Sequence, residues 1–527
     1  MNTYPTRPTG LFFIIIVNAL LLNYSALAQT FTTVHVFAQS RTNLAGCFTN
    51  SEGAHPSSLM VSGNSLYVTA QNGGNDGGGS GDIGNGSVIR IQMDGTGLTN
   101  LYTFSASPAP GYANTDGANP SGTLFLLDGR LFGAAIGRAA HGNGTLFAIN
   151  TNGTAFSNAY SFSSLSGGPA YANPDGANPN AGVVISGNTM YGIAYNGGAF
   201  GGGSVFRVNT NGTSFTNLHS FAAINYYPNN TNSDGARPGS GTLVLSGATL
   251  YGTASDGGTN GSGTIFAVNT NGTGFRLLHV FTALSSSAPY GNTDGSVPTT
   301  GLVLSGNTLY GTALGGGTGG SGTVFSINTN GTGFTTLYSF APHAVDSTGN
   351  FFTNSDGMSP KSLILSGSTI YGVASQGAAG SGAVFRMNTN GGAFAILHAF
   401  QTLSDPYYLR GTNSDGANPS SLVLAGNTLY GTTSYGATTA NGTIFSINLA
   451  LNLQPNQMAH SSFVAGKAVL TYLGAPGSKF ALESTHSFGS QAGWTALATN
   501  TTTPDGYVSF TNTLSAANDF YRIRSVP

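Results

Sequence analysis

The chain has 527 residues, of which only 6% are charged, with a net charge of −2 and 80 glycines. So little charge leaves no basic patch for nucleic acid, while 39% hydrophobic residues that recur in register exclude a disordered polymer. A single cysteine, Cys47, excludes an internal disulfide.

Residues 1–28 carry Arg7, an apolar run over 11–22 and Ala26-Leu27-Ala28 before Gln29, the layout of a secretory signal peptide. An uncleaved membrane anchor is the competing reading, and the shortness of the run, with Asn18 inside it and Asn23 beside it, weighs against that. No other stretch is apolar enough to span a bilayer, so the mature chain is expected to be exported: extracellular, at the cell surface or periplasmic. Leu44-Ala45-Gly46-Cys47 has the letters of a lipid-attachment box, but it lies too far from the apolar run to act as one.

From 29 to 449 the chain repeats itself. Acidic-Gly pairs at Glu52, Asp116, Asp175, Asp234, Asp294, Asp356 and Asp415 are spaced by 64, 59, 59, 60, 62 and 59 residues, giving seven repeats. Each holds four strand-length apolar runs, represented by 242–245, 249–254, 264–268 and 275–281. Ser-Gly-Asn and Asn-Thr-Asn-Gly-Thr separators supply the positive-φ residues of tight hairpins. TLVL and TIFAV are apolar at consecutive positions, as in sheets covered on both faces. Stacked propeller blades are covered in that way. The seventh repeat lacks its last strand, and an orphan copy, Thr33-Val34-His35-Val36-Phe37, lies ahead of the first. The expected fold is therefore all-β: a seven-bladed β-propeller closed by N- and C-terminal strands, which leaves no exposed edge.

Function in such a ring belongs to the connections between strands. Those joining second to third runs are glycine-rich, from 73–86 to 436–442, and resemble neither a phosphate loop nor a dinucleotide fingerprint. Those joining one repeat to the next each carry an aromatic residue before the acid: Phe48, Tyr112, Tyr171, Tyr227, Tyr290, Phe352 and Tyr408. Seven aromatics on one face suit stacking on sugar rings or docking of a partner; the reading favoured for each single ring is that it pins its own long loop to the blade below. The repeated acids read as structural brackets, each carboxylate accepting from following backbone amides. One carboxylate per site is thin for calcium, the cation such loops could attract, so no cofactor or metal is expected. At one position of the fourth run His219, His279 and His398 exchange with Tyr102, Tyr160 and Tyr338, which indicates packing rather than histidine chemistry.

Catalysis breaks repeat symmetry, and the polar residues found in single repeats, Asp76, Asp82, Arg138, His141, Asp256, His343, Asp346, Lys361, Asp405 and Arg410, are scattered. Asp346 and Asp405 could meet as a carboxylate pair for glycoside hydrolysis, but the spacing identifies no catalytic residue.

The motifs D-G-A-N-P, L-Y-G, G-T-[IV]-F-x-[IV]-N-T-N-G-T and F-x-x-L-[HY]-x-F, in fixed order over 31–449, resemble those of the bacterial GloVer tandem-repeat proteins of the choice-of-anchor group. The resemblance implies an exported or surface protein and supplies no catalytic residues. A linker at 450–458 precedes a domain at 459–527, whose runs 468–473, 479–483, 494–498, 507–511 and 520–523 suggest a small five-stranded β-sandwich. That domain is similar to C-terminal β-domains of secreted bacterial proteins, and it lacks the terminal apolar helix and basic tail of PEP-CTERM signals. The reading favoured is an exported binding scaffold contacting a glycan, another surface polymer or a protein through the aromatic face. A polysaccharide hydrolase or lyase and a self-assembling surface protein are the alternatives.

Overall fold

The computed structural model describes residues 29–42, 48–74, 84–107, 113–167, 171–226, 230–345, 352–405, 411–449, 457–464, 467–473, 479–485, 495–501, 507–513 and 520–526. The signal peptide expected at 1–28, Cys47 and most of the linker expected at 450–458 lie outside them. All regular structure among the described residues is β, and no helix there is long and apolar enough to cross a membrane. The chain divides into two compact units: Phe31–Asn448, and Leu449–Pro527 together with the residues up to Thr30.

The larger unit is a seven-bladed β-propeller, its blades falling within 48–103, 118–161, 184–220, 236–280, 303–339, 358–399 and 417–448. Blade 4 represents them. Val244–Ser246 pairs with Thr249–Asp256, which pairs with Thr264–Asn269, which pairs with Arg276–Val280, all antiparallel. The first hairpin turns through Gly247 and Ala248, and only the glycine has positive φ (58°), the pattern of a II′ turn whose twist matches the strands. The innermost strand has a second piece, Ala236–Pro238, also paired with Thr249–Asp256. Between the two pieces Gly241 passes against the backbone of Gly301 in blade 5.

The L-Y-G and G-T-[IV]-F motifs explain one another. Gly252 stands directly opposite Phe266, and a Cβ on the glycine would meet the ring at 2.6 Å. The missing side chain makes room for the phenyl group on the same face. Blade 1 solves the problem differently, with Val68 opposite Ile89.

The core lies between blades. Tyr191, Val205, Leu218 and Phe221 of blade 3 pack against Leu250, Phe266 and Val268 of blade 4, and equivalent clusters join its neighbours. Both faces of a blade are thereby covered, which is why its strands read as continuous apolar runs. Each joint also has a polar clasp. The residue before the repeated proline is left-handed in every blade (His55, Asn119, Asn178, Arg237, Val297, Ser359 and Asn418, φ 51–57°), and its N–H donates to a carbonyl of the preceding blade, as Val297 does to Ser262 at 3.0 Å. The following proline seats against a glycine of that preceding blade, Pro298 against Gly263.

Blades 7 and 1 meet through the same contacts: His55 N–H donates to Asn441 O at 3.0 Å, and Pro56 seats against Gly442. The strand Thr30–Val36 lies outermost in the sheet of blade 7, beside Thr443–Asn448. Phe31 stacks on His398 at 3.7 Å, and the buried Phe37 packs with Leu59, Val68 and Ile444.

The C-terminal unit has two three-stranded antiparallel sheets, Gln457–Val464, Lys467–Leu473 and Tyr507–Thr513 in one, Thr495–Thr501, Lys479–Thr485 and Phe520–Val526 in the other. Phe480 and Leu482 pack with Val508 and Phe510 across them. The expectation of five strands is corrected to six. Gln457–Val464 escaped notice because its apolar residues neither alternate nor run together, and Trp494, expected to open a strand, lies outside the described residues.

The joint makes a quantitative demand on glycine. At Gly263, with φ +97°, an added Cβ would lie 2.5 Å from Pro298 Cδ and 2.6 Å from Ala254 O, whereas at Gly247 it would meet open space. Gly263→Ala should lower the unfolding free energy by about 3 kcal/mol and Gly247→Ala by about 1 kcal/mol, measured by urea denaturation. Equal losses would show that the inter-blade contact contributes nothing.

Candidate functional site

Because adjacent strands run antiparallel, the outermost-to-innermost connections and the second-to-third connections emerge on one face of the ring. Their geometry is set by the repeated acids. Asp234 reaches back rather than forward: its carboxylate accepts from Ala222 N–H at 3.1 Å and lies 2.9 Å from His219 Nε2. The expectation that it would cap following amides is corrected. That task falls to the residue two places earlier, since Asn232 Oδ1 accepts from Gly235 and Gly258 N–H while its amide donates to Ala222 O and Gly235 O. A carboxylate only accepts, whereas the loop clamp needs two donors as well as an acceptor, so two side chains divide the work.

The arrangement recurs seven times. His35 pairs with Glu52, His279 with Asp294 and His398 with Asp415 at 2.8–2.9 Å, and the hydroxyls of Tyr102, Tyr160 and Tyr338 donate to Asp116, Asp175 and Asp356 at 2.7–2.8 Å. An ionised carboxylate only accepts, so both ring types serve as donors at the same reach. Six of the seven rings also lie flat on an aromatic of the blade that follows, as His219 does on Phe275 at 3.6 Å and Tyr102 on Phe156 at 3.6 Å; at His35, blade 1 offers Leu98 in place of the phenylalanine. The exchange of histidine with tyrosine follows from these two requirements.

Burial and the facing carboxylate push the hydroxyls of Tyr102, Tyr160 and Tyr338 far above their ordinary pKa, which keeps them protonated donors. Burial works against ionisation of Asp294, yet the hydrogen bonds from His279, from the Thr282 hydroxyl and from Thr282 N–H together outweigh it and hold the carboxyl below its usual value.

Of the seven expected loop aromatics, Tyr112, Tyr227 and Tyr408 lie outside the described residues. Phe48 and Phe352 open the strands Phe48–Ser62 and Phe352–Thr353. Tyr171 and Tyr290 are 63% and 59% exposed and so are not packed beneath their loops. Two further aromatics of the same face, Phe200 (55%) and Tyr226 (62%), join them, with Leu284 on Tyr290's own loop; among the described residues, the exposed large apolar residues of the propeller fall over blades 3 to 5. Tyr226 is held by Arg237, whose Nη2 donates to its hydroxyl at 3.2 Å while Nη1 pairs with Asp256 at 3.1 Å. The Tyr226-Tyr227 doublet was the only signal of this residue in the sequence. Phe200 sits in a glycine-rich loop and had none.

Asp76, Asp82, Asp346 and Arg410 lie outside the described residues, so the Asp346–Asp405 pairing has no geometry to report. On the opposite face a cleft of about 520 Å³ lies between the strand-connecting turns of blades 2 and 3, lined by Arg130, Asn150, Phe156, Ser157, Thr210 and Asn211.

The depressed Asp294 carboxyl fixes the sign of a pH effect. Its contribution is fully present above the unfolded carboxylate pKa and is lost as pH falls through the lower folded value. Asp294→Asn should therefore lower stability by about 2 kcal/mol at neutral pH, and the gap between variant and parent should close in acid. A gap in urea midpoints that did not change with pH would mean that the charge contributes nothing.

No curated protein sequence matches the chain. Among solved structures it is similar to the computationally designed Ika8 protein (13% identity, TM-score 0.38, covering 77% of this chain and 99% of that one). It is also similar to an oligogalacturonate lyase from Vibrio parahaemolyticus (11%, 0.38, 80% and 97%) and to a puromycin hydrolase (11%, 0.42, 84% and 61%). None of these likenesses bears on activity. The Gloeobacter/Verrucomicrobia repeat model matches residues 81–285, 169–351 and 292–460. With the same motifs set on blade after blade across that span, the chain belongs to the Gloeobacter/Verrucomicrobia repeat family.

Proposed function

We propose that this protein is an exported binding scaffold that docks a glycan or similar surface polymer on the face formed by its outermost-to-innermost connections. The observation that carries this reading is the arc of Tyr171, Phe200, Tyr226 and Tyr290, each more than half exposed on one face. Scattered single apolar residues are ordinary on a surface, but four aromatics on adjoining loops are not scattered. The loops that present them are anchored at their bases by the acid and asparagine clamps, so little ordering entropy opposes binding. A flat ring with a polar tip suits the mixed apolar and hydroxyl faces of a pyranose.

Export is supported by the leader pattern at 1–28 and by the low charge of the surface. In this reading the strand Thr30–Val36 latches the ring shut, and the C-terminal unit is a small β-sandwich serving as spacer or attachment module.

The test is a glycan array with polysaccharide pulldowns on the chain from Gln29, with soluble products assayed in the same wells. Replacing Tyr171, Tyr226 and Tyr290 together by Ala should weaken retained glycans about tenfold or more without shifting the thermal midpoint. Unchanged binding would overturn the aromatic face as the site, and released oligosaccharides would replace the scaffold reading with an enzymatic one.

A further inference from the structure

The innermost strands touch one another around the axis, and the residue after each repeated proline forms part of that contact: Ser57 Oγ donates to Pro120 O, Ser121 Oγ to Asn180 O and Ser420 Oγ to Pro56 O, all at 3.3 Å. The seven occupants of this position are Ser57, Ser121, Asn180, Gly239, Thr299, Lys361 and Ser420. Only blade 6 places a charge there. Lys361 cannot repeat the short serine bond. Instead its ammonium crosses to blade 7 and donates to Asn418 Oδ1 at 3.1 Å.

That partner is neutral. Among the described residues no ion pair includes Lys361, and removal from solvent pulls its pKa below the ordinary value. The surroundings are also uncharged acceptors and donors. Asn418 adjoins Ala417, which pairs with Tyr435; the Tyr435 ring lies 4.8 Å from that of His55 of blade 1; and His55 Nδ1 is 2.8 Å from Asn72 Oδ1. Burial depresses the His55 pKa and raises that of Tyr435, so both are neutral at pH 7. A half-buried cation with no counter-charge is costly, and an ammonium held by a neutral amide oxygen rather than by a carboxylate is complementary to one anion of modest size.

We infer that Lys361, Asn418, Tyr435 and His55 form an anion site at the axial mouth across blades 6, 7 and 1, and that its ligand is a carboxylate group. In this site Lys361 supplies the charge and Asn418, whose Oδ1 already lies 3.1 Å from the ammonium, supplies its amide N–H as a donor. A carboxylate fits better than a phosphate because, among the described residues, the site offers one cation and no guanidinium fork or run of backbone amides. The site is separate from the exposed tyrosines and does not rest on their role.

The sequence makes the test unusually clean, since Lys361, Lys467 and Lys479 are its only lysines and only the first lies in the propeller. In the full chain labelled at lysine Cε, acetate added at constant ionic strength should move the Lys361 NMR resonance and leave the other two in place. Lys361→Gln should bind acetate about tenfold or more weakly, and Lys361→Arg should restore part of it. Because the glutamine variant removes an uncompensated charge, it should melt no lower than the parent without acetate and should lose the acetate-dependent rise in melting temperature. A second arm compares an acidic oligosaccharide with a neutral one of the same length: tighter binding of the acidic chain than of acetate would make the ligand a polymer, and equal binding a free acid. A resonance that follows chloride as strongly as acetate, or an acetate effect that survives in Lys361→Gln, would overturn the site.

Discussion

The carboxylate at the base of each inter-blade loop is the constraint on which the rest of the propeller depends. It sits where three things must agree: the end of one blade's outermost strand, the return of the chain to the axis, and the first aromatic of the next blade. His219 shows the logic, with its ring face on Phe275 and its Nε2 on Asp234. Remove the acid and the ring nitrogen loses the partner that fixes its edge, while the Ala222 N–H that shares the carboxylate is left unsatisfied. A charge-assisted bond and a stack thus hold the same ring from perpendicular directions, which a stack alone would leave free to rotate.

Strain is distributed by the same repetition. Left-handed backbone before a proline is unfavourable for any side chain and worst for a β-branched one, yet Val297 adopts it with φ 57°. The position is over-determined: its N–H is bonded to Ser262 O and its proline is seated on Gly263. A cost of order 1–3 kcal/mol at each joint is offset because the conformation delivers a hydrogen bond and an apolar contact to the neighbouring blade at once. The family's D-G-A-N-P motif is the sequence record of that compromise. Asparagine tolerates the conformation best, and where another residue stands there the surrounding contacts, not propensity, impose it.

The order of strands and the number of blades were legible in the sequence because each rests on periodicity, and seven copies make periodicity hard to miss. The packing behind the His/Tyr exchange was legible too, but the hydrogen bond each ring gives to the acid was not. The direction of the acid's hydrogen bonds was not legible. Asp234 and Asn232 are both capable caps, and only the fold brings Ala222 N–H and His219 within reach of one of them. The exposed aromatics were half legible. Tyr171 and Tyr290 share an offset from their acids, whereas Phe200 lies in a loop whose only visible property is glycine. Gln457–Val464 went unseen for the opposite reason, since it belongs to a part of the chain that has no repeat to reveal it.

A ring of near-identical units can acquire function only where a position is not needed by the joint, and the departures here fall into two sets. Positions at the loop tips lie beyond the clamps and, among the described residues, carry exposed aromatics on blades 3 to 5. Positions beside the proline lie inside the joint, where three of the seven blades place a serine that bonds to the next blade. Lys361 gives up that bond. Its bond to Asn418 replaces the serine's contact between blades, but an ammonium drawn out of solvent with no counter-charge among the described residues is costly for the empty protein. It is retained more readily if something outside the chain restores the balance, so the axis of blades 6, 7 and 1 is where the fold departs furthest from what stability alone would select.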